Sequence, residues 1–402
     1  MDSQEGTRWR FPTDAFVEIL LRLPPNTRRR FRLVSRHWRD VVDESWLMLP
    51  HCPKTLVAPE EGSPFVIDDR TGRRRDLWSS STPSRCRSMC IVGTSNGLVC
   101  LCDNEVRGGP ITVANLVTGE TLDAPPLLPL PPPIYDCGRL CDHGRWHLAY
   151  GFGYLPATKR YKVVRPPCRF DDQDWEYSTL QVYTLGEESW REVAIPTTIS
   201  GCKPGLGFVS INGTMYWASA DWSVVSFDLE EERVMRFKPQ PLIPESDDPT
   251  HRWFLTEVHG RLGIVFKRYS LFMENAEVWV MDNTEWNLRY SLLVSSPRNR
   301  PGQRPRGYQC FTRPHFVQYS DHVLTWESNS SDVGLYKHKP QKNNTSSGSG
   351  SGDLWGGVVE INNTCRETLV ADVKDFLDFW VFAYVETRES LSVYAIDSGT
   401  SK

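Results

Sequence analysis

The feature that most constrains this chain is a phrase repeated six times: an apolar strand, a turn built on Asp, Asn or Gly, then a second short strand. It runs through Phe65 to Gly72, Val113 to Glu120, Val182 to Trp190, Val225 to Glu232, Val278 to Trp286 and Val358 to Thr364. Such a pattern reads as a hairpin. A hairpin cannot bury its apolar face alone, so a spaced series of them implies one architecture made by stacking repeats. Taking Val66, Val113, Val182, Val225, Val278 and Val358 as markers, the intervals are 47, 69, 43, 53 and 80 residues. That spacing is close to a four-stranded propeller blade carrying insertions.

Most copies are preceded by more hydrophobic strand pairs, such as Gly97 to Leu101, Gly207 to Val209 with Met215 to Trp217, and Leu262 to Phe266. Buried inner strands with a half-exposed outer hairpin have this composition. The first copy lacks its inner pair, and the chain ends on two unpartnered strand segments, Phe379 to Val385 and Leu391 to Ile396. Placed beside Phe65 to Leu77, these would complete the first blade and remove two exposed sheet edges. The expectation for residues 51–402 is an all-β propeller, six blades closed by the C-terminal strands.

The first fifty residues follow a different period. Phe16, Ile19, Leu20 and Leu23 share one helical face, Thr13 can cap its start, and Pro24 and Pro25 stop it. Asn26 can cap a second short helix with Phe31 and Val34, and Ser35 a third with Trp38, Val41 and Val42. Three short helices cannot bury all their apolar faces among themselves, so part of that surface should meet either the rest of the chain or a partner.

Composition narrows the function classes. Over 402 residues, 39% hydrophobic and 24% charged with a formal net charge of -4, nothing marks a general nucleic-acid binder. No stretch approaches the roughly 18 uninterrupted apolar residues of a membrane helix, and the amino terminus is polar, so neither membrane nor secretion is expected. The eleven cysteines then read as reduced, mostly buried thiols, and the compartment as cytoplasm or nucleus. There is no Gly-x-Ser-x-Gly elbow, phosphate-binding loop or His-Glu-x-x-His motif, and no catalytic residue or cofactor is implied.

Phe11-Pro12-x-Asp14, Glu18-Ile19-Leu20-x-Arg22-Leu23-Pro24 and Arg30-x-Arg32-x-Val34-x-Arg36-x-Trp38-Arg39 resemble the F-box motif in order and spacing. Arg28 and Arg29 depart from it, standing where many members carry leucine. The resemblance implies an F-box domain at residues 1–50 that binds a Skp-type adaptor through Pro12, Ile19, Leu20, Leu23, Pro24 and Val34, with Trp38 packing inside. The body, by Ser95 to Val99, Asn115 with Thr118 to Glu120, Gly151 to Tyr154, Lys159 to Val164, and Asn212-Gly213-x-x-Tyr216-Trp217, resembles the F-box-associated propeller of plant F-box proteins. Together they imply a non-catalytic substrate receptor of an SCF-type cullin-RING ubiquitin ligase, joined to the cullin through its adaptor and holding a protein target. An interaction scaffold without a ligase role and a propeller enzyme are the other readings that such a fold admits.

Three insertions lengthen the repeat without adding strands: Pro125 to Trp146, Cys168 to Tyr177 and Ser295 to Arg313. Insertions in repeat folds map to surface loops, and loops carry recognition. Trp175, Tyr177, Arg304, Arg306 and Tyr308 are the residue types that anchor interfaces and are the candidate target-binding residues. The proline run from Pro125 to Pro133 is either a stiff connector or a polyproline ligand. Cys137, Cys141, His143 and His147 are too compressed for a known zinc finger and read as loop residues, while Cys100 and Cys102 read as core thiols on one strand face.

Overall fold

The structure, a computed structural model, describes Val34 and residues 54–59, 63–68, 73–78, 83–127 without 107, 146–167, 179–196, 199, 201–203, 206–219, 221, 223–237, 251–269, 273–282, 285–295, 315–316, 322–328, 333–339, 359–361, 366–372 and 379–394. The chain divides into two compact units, Met1–Cys52 and Pro53–Lys402. Within the first, Val34 lies in a turn and is exposed. The three helices expected there lie outside the described residues.

The second unit is a six-blade β-propeller. Blade one contains β1 (Lys54–Pro59), β2 (Phe65–Asp68) and β3 (Arg74–Asp76). Blade two is β4 (Cys90–Ser95), β5 (Leu98–Cys102), β6 (Ile111–Asn115) and β7 (Thr121–Asp123). Blade three is β8 (Gly151–Leu155), β9 (Arg160–Arg165), β10 (Thr179–Thr184) and β11 (Arg191–Ala194). Blade four is β12 (Val209–Ile211), β13 (Thr214–Ala218), β14 (Val224–Asp228) and β15 (Arg233–Phe237). Blade five holds β16 (His251–Val258), β17 (Arg261–Tyr269), β18 (Met273–Asp282) and β19 (Glu285–Ser295). Blade six holds β20 (His315–Phe316), β21 (Val323–Ser328), β22 (Val333–His338) and β24 (Arg366–Asp372). A short helix, α1 (Ser84–Arg87), and two 3-10 turns, Trp146–Ala149 and Leu391–Tyr394, complete the helical content among the described residues.

The strand order explains the repeated phrase. In five blades its apolar run is the third strand, with Val66, Val113, Val182, Val225 and Val278 all buried on β2, β6, β10, β14 and β18. Second and third strands are covered on both faces by neighbouring blades, which is why β5 and β6 are buried at every position, whereas β3 is exposed throughout. The polar residue that follows caps the turn. Asn115 Oδ1 accepts the Val117 and Thr118 N–H groups at 2.9 and 3.2 Å, and Asp228 Oδ1 accepts those of Glu230 and Glu231 at 2.8 and 2.9 Å. The tight turn from first to second strand uses left-handed pairs, Asn96-Gly97, Asn212-Gly213 and His259-Gly260, all with positive φ, as hairpins with the native twist require.

Two assignments differ from the sequence reading. The sixth copy, marked by Val358, is not a third strand: β23 (Val359–Ile361) pairs parallel with β19 on the edge of blade five, and the third strand of blade six is β22. At eleven residues, β19 presents an outer edge to which a three-residue segment can add. In blade one, β1 supplies an inner strand directly before the first copy, and β25 (Phe379–Tyr384) pairs antiparallel with β1 rather than beside Phe65 to Leu77. Leu391–Tyr394, expected as a strand, forms a 3-10 turn because the Leu391 N–H is taken by Glu120 Oε2 at 2.9 Å and Ser390 bonds Glu120 and Ser392. Cysteine chemistry also departs from a uniformly reduced set. Cys86, Cys90, Cys100 and Cys102 are thiols, but the fully buried Cys202 is disulfide-bonded.

Candidate functional site

Strand alternation sorts every connection to one of two ends of the propeller. In each blade the turns from first to second and from third to fourth strand share one end; the connection from second to third strand and the crossing to the next blade share the other. The Asn96-Gly97, Asn212-Gly213 and His259-Gly260 turns lie at the first end, where Gly213 approaches Pro156 of the neighbouring blade. All three insertions belong to the second end. Pro125 to Trp146 joins β7 to β8, Cys168 to Tyr177 joins β9 to β10, and Ser295 to Arg313 joins β19 to β20. Sequence spacing gave their lengths; the direction of the strands they join puts both ends of each at one end of the propeller.

At the turn end, residues 385–394 follow β25 as a strap across blades two and three. Asn115 Nδ2 donates to the Glu389 carbonyl at 2.6 Å. The Glu389 carboxylate accepts from Tyr161 at 2.7 Å and Tyr394 at 2.6 Å, and Leu391 is buried in the core. A side chain on Gly97 would come within 2.5 Å of the Val385 carbonyl, so only glycine admits the strap there, besides meeting the positive φ. Glu386 pairs with Lys54 and Arg75, each at 2.7 Å, tying the strap to blade one. Burial alone would raise the Glu386 carboxyl, but the hydrogen bonds and charges of Lys54 and Arg75 outweigh it and hold it below its usual value. The same end receives the chain at Lys54.

The insertion end is anchored from below. Trp190 Nε1 donates to the Pro125 carbonyl at 2.7 Å, fixing the first residue of the proline run against blade three. The far side of that insertion is held by His147, whose N–H donates to Asn104 Oδ1 at 3.0 Å while its Nδ1 faces Asn104 Nδ2 at 2.8 Å. The His147 ring stands edge-on to Trp380 of β25, with centroids 5.0 Å apart. At the second insertion the Cys202 N–H donates to the Pro167 carbonyl at 2.6 Å. The sequence groups His147 with Cys137, Cys141 and His143; the structure gives it to Asn104 and Trp380, the other three lying outside the described residues. Among the described residues no group of three or more His, Cys, Asp and Glu side chains is placed to hold a metal ion. Nor is any helix long and apolar enough to cross a membrane among them.

Of the candidate residues, Val34 is 60% exposed. Pro12, Ile19, Leu20, Leu23 and Pro24 on the first unit, and Trp175, Tyr177, Arg304, Arg306 and Tyr308 on the insertions, lie outside the described residues. Asn104 and Glu389 carried no signal in the sequence, and His147 only that of the cysteine–histidine cluster, since each acts through a partner far along the chain.

The family model of the F-box associated beta propeller domain matches residues 69–300, and that of the F-box domain matches residues 9–49. The chain belongs to the F-box-associated propeller family. An F-box protein of Arabidopsis thaliana is 28% identical over 334 residues, covering 77% of this chain and 78% of its own. An F-box/kelch-repeat protein from the same plant is 24% identical over 366 residues, covering 83% and 91%. Among solved structures, TolB from Acinetobacter baumannii aligns with 75% of this chain and 65% of its own at 10% identity, with a TM-score of 0.39. This F-box protein is thus similar to F-box proteins of that plant along most of its length.

Proposed function

We propose that this F-box protein is the substrate receptor of an SCF-type cullin-RING ubiquitin ligase. Its first fifty residues bind a Skp-type adaptor through Pro12, Ile19, Leu20, Leu23, Pro24 and Val34, and the adaptor joins it to the cullin. The insertion end of the propeller holds the protein target, with Trp175, Tyr177, Arg304, Arg306 and Tyr308 as anchors. The pairing of β25 with β1 serves as the closure of the ring that keeps this end in shape. The receptor itself performs no chemistry and works in cytoplasm or nucleus.

The observation that carries the reading is the domain order, an F-box match followed directly by the F-box-associated propeller match in one chain. The exposed Val34 fits a residue left open for a partner. The strap supports the choice of end, because it covers turns of blades two and three while the insertions all leave from the opposite side.

Co-purification from cells tests it. The double variant Leu20→Ala, Leu23→Ala should lose adaptor and cullin, since truncating two buried anchors costs about 2 kcal/mol or more each. Replacing each insertion by a short Gly-Ser linker should leave adaptor binding intact and remove target. Undiminished adaptor capture by the double variant would overturn the ligase reading and leave an interaction scaffold; target retention in all three loop replacements would move recognition elsewhere on the propeller.

A further inference from the structure

A second chemistry sits at the insertion end, independent of what that end binds. Cys90 and Cys102 are direct cross-strand partners in the β4–β5 register. Residues opposite one another in an antiparallel pair have Cα atoms about 4.5 or 5.5 Å apart and side chains on one face, inside the Cα window of about 4.4–6.8 Å for a disulfide. Both thiols converge on one amide. Asn104 Nδ2 donates to Cys90 Sγ at 3.0 Å, and the Cys102 thiol faces Asn104 Oδ1 at 3.7 Å. Cys102 is fully buried and Cys90 partly exposed, so one thiol can meet a solute while the other can meet only its neighbour.

Cys100, two residues along β5, is excluded by register, because its partner across the pair is Gly93, beyond a β-bulge. The Asn104 orientation is fixed independently. The His147 N–H needs its carbonyl oxygen as acceptor, which leaves its two N–H groups for Cys90 Sγ and His147 Nδ1. The buried amide therefore links the dithiol to the residue that holds the end of the first insertion, and through His147 to Trp380 of β25.

We propose that Cys90 and Cys102 form a reversible disulfide that makes this end of the propeller responsive to low-molecular-weight disulfides such as glutathione disulfide. The Cys90 thiolate, with Asn104 donating to its sulfur, attacks one sulfur of glutathione disulfide and releases one glutathione thiolate, forming a mixed disulfide. Cys102 gives up its proton and attacks Cys90 Sγ, releasing the second glutathione. Two protein thiols are oxidised and one glutathione disulfide is reduced to two thiols. Burial raises the Cys102 thiol above its ordinary range, so it is a poor first attacker and acts as the resolving group. Opposed Cβ atoms in a strand pair stand about 4.5–5.5 Å apart, wider than the usual 3.5–4.5 Å of a disulfide, so the bond is strained and readily reduced. Forming it withdraws both sulfurs from Asn104 and alters the support of His147.

Differential alkylation of the full chain, purified with its adaptor, tests the proposal. Trypsin releases Ser88 to Arg107, which holds Cys90, Cys100 and Cys102 on one peptide. After equilibration in glutathione buffers of increasing disulfide content, acid quenching and unfolding in denaturant to open the buried Cys100 and Cys102, the first alkylating label on this peptide should fall from three to one, leaving Cys100 alone labelled. Dithiothreitol should restore all three. Tandem mass spectrometry on the unmodified chain, with a second label added after reduction, assigns the linked pair without relying on any variant. Cys100→Ser should still lose two labels, Cys90→Ser should keep two, Cys102→Ser should trap Cys90 as the glutathione mixed disulfide and keep one, and Asn104→Ala should slow the reaction severalfold at equal protein concentration. Three labels retained at every glutathione ratio, or a linkage that includes Cys100, overturns the proposal.

Discussion

The side-chain amide of Asn115 donates to the backbone carbonyl of Glu389 at 2.6 Å, across 274 positions of sequence. The bond ties the strap to the very residue that caps the turn of blade two, so strap and blade report on each other. Glu389 adds its carboxylate to Tyr161, which is fully buried and whose hydroxyl also bonds Asn96. Glu389→Ala removes the acceptor of both Tyr161 and Tyr394 and should cost about 1–2 kcal/mol, the lower part of the range for a lost buried partner because Asn96 remains. Glu389→Gln should cost less. Urea unfolding of the two variants checks the order.

Between blades three and four, Lys162 lies with only 7% of its side chain exposed, bonded to Glu232 at 2.7 Å and to the Leu229 carbonyl. Arg191 reaches the same carboxylate and also Glu187. The Arg191 guanidinium, and then Lys162, hold the Glu232 carboxyl below its usual value. Removing Glu232 strands a buried ammonium, while removing Lys162 leaves Glu232 with Arg191. Glu232→Gln should therefore cost about 3 kcal/mol and Lys162→Met clearly less. Chemical denaturation midpoints in the reverse order would show that the cluster is not held by this charge.

His315 on β20 gives an acid response of definite sign. Burial pushes its imidazole down to about 4, with His259 acting in the same sense and Glu257 against. The unfolded chain binds this proton near 6.5, so its contribution is complete above that value and is lost as pH falls from 6.5 toward 4, at no more than about 1.4 kcal/mol per pH unit. Carboxylates held low, such as Glu232 and Glu386, act in a lower window, below their ordinary value. Between pH 7 and 5 the melting temperature of His315→Gln should fall less than that of the unmodified chain. Equal slopes would remove His315 from the acid response.

Blade strands were legible where one segment carried its own reason. Val66, Val113, Val182, Val225 and Val278 each begin or sit within an apolar run ended by a turn former, and each lies on a third strand. Val358 had the same local pattern, yet its segment went to the edge of β19, because which sheet a short strand joins is settled by edges that no local window contains. For the same reason β25 was recognisable as a strand but not as the partner of β1. Insertion lengths were readable, as counting suffices; the common end they share follows only from strand direction. The bonds that position the site, Asn104 with His147 and Asn115 with Glu389, join residues 43 and 274 positions apart and leave no periodic trace.

Separate truncations distinguish the two tasks of the C-terminal segment. β25 pairs with β1 over six positions, from Lys54 with Tyr384 to Pro59 with Phe379, and its Tyr384 is buried in the core of blade one. Ending the chain at Asp378 would bare the edge of β1 and empty that space, two defects that favour association through exposed strands. Ending it at Val385 would keep the strand and remove the strap, with the bonds of Glu386, Glu389, Ser390, Leu391 and Tyr394 to blades one to three and the buried side chain of Leu391. The longer protein should stay soluble with a lowered melting temperature, and the shorter should aggregate or unfold well below it, as read by size-exclusion chromatography and thermal scans at equal concentration. If the protein ending at Asp378 remains monomeric and melts with the one ending at Val385, β25 contributes nothing to holding the ring, and the first blade stands on β1, β2 and β3 alone.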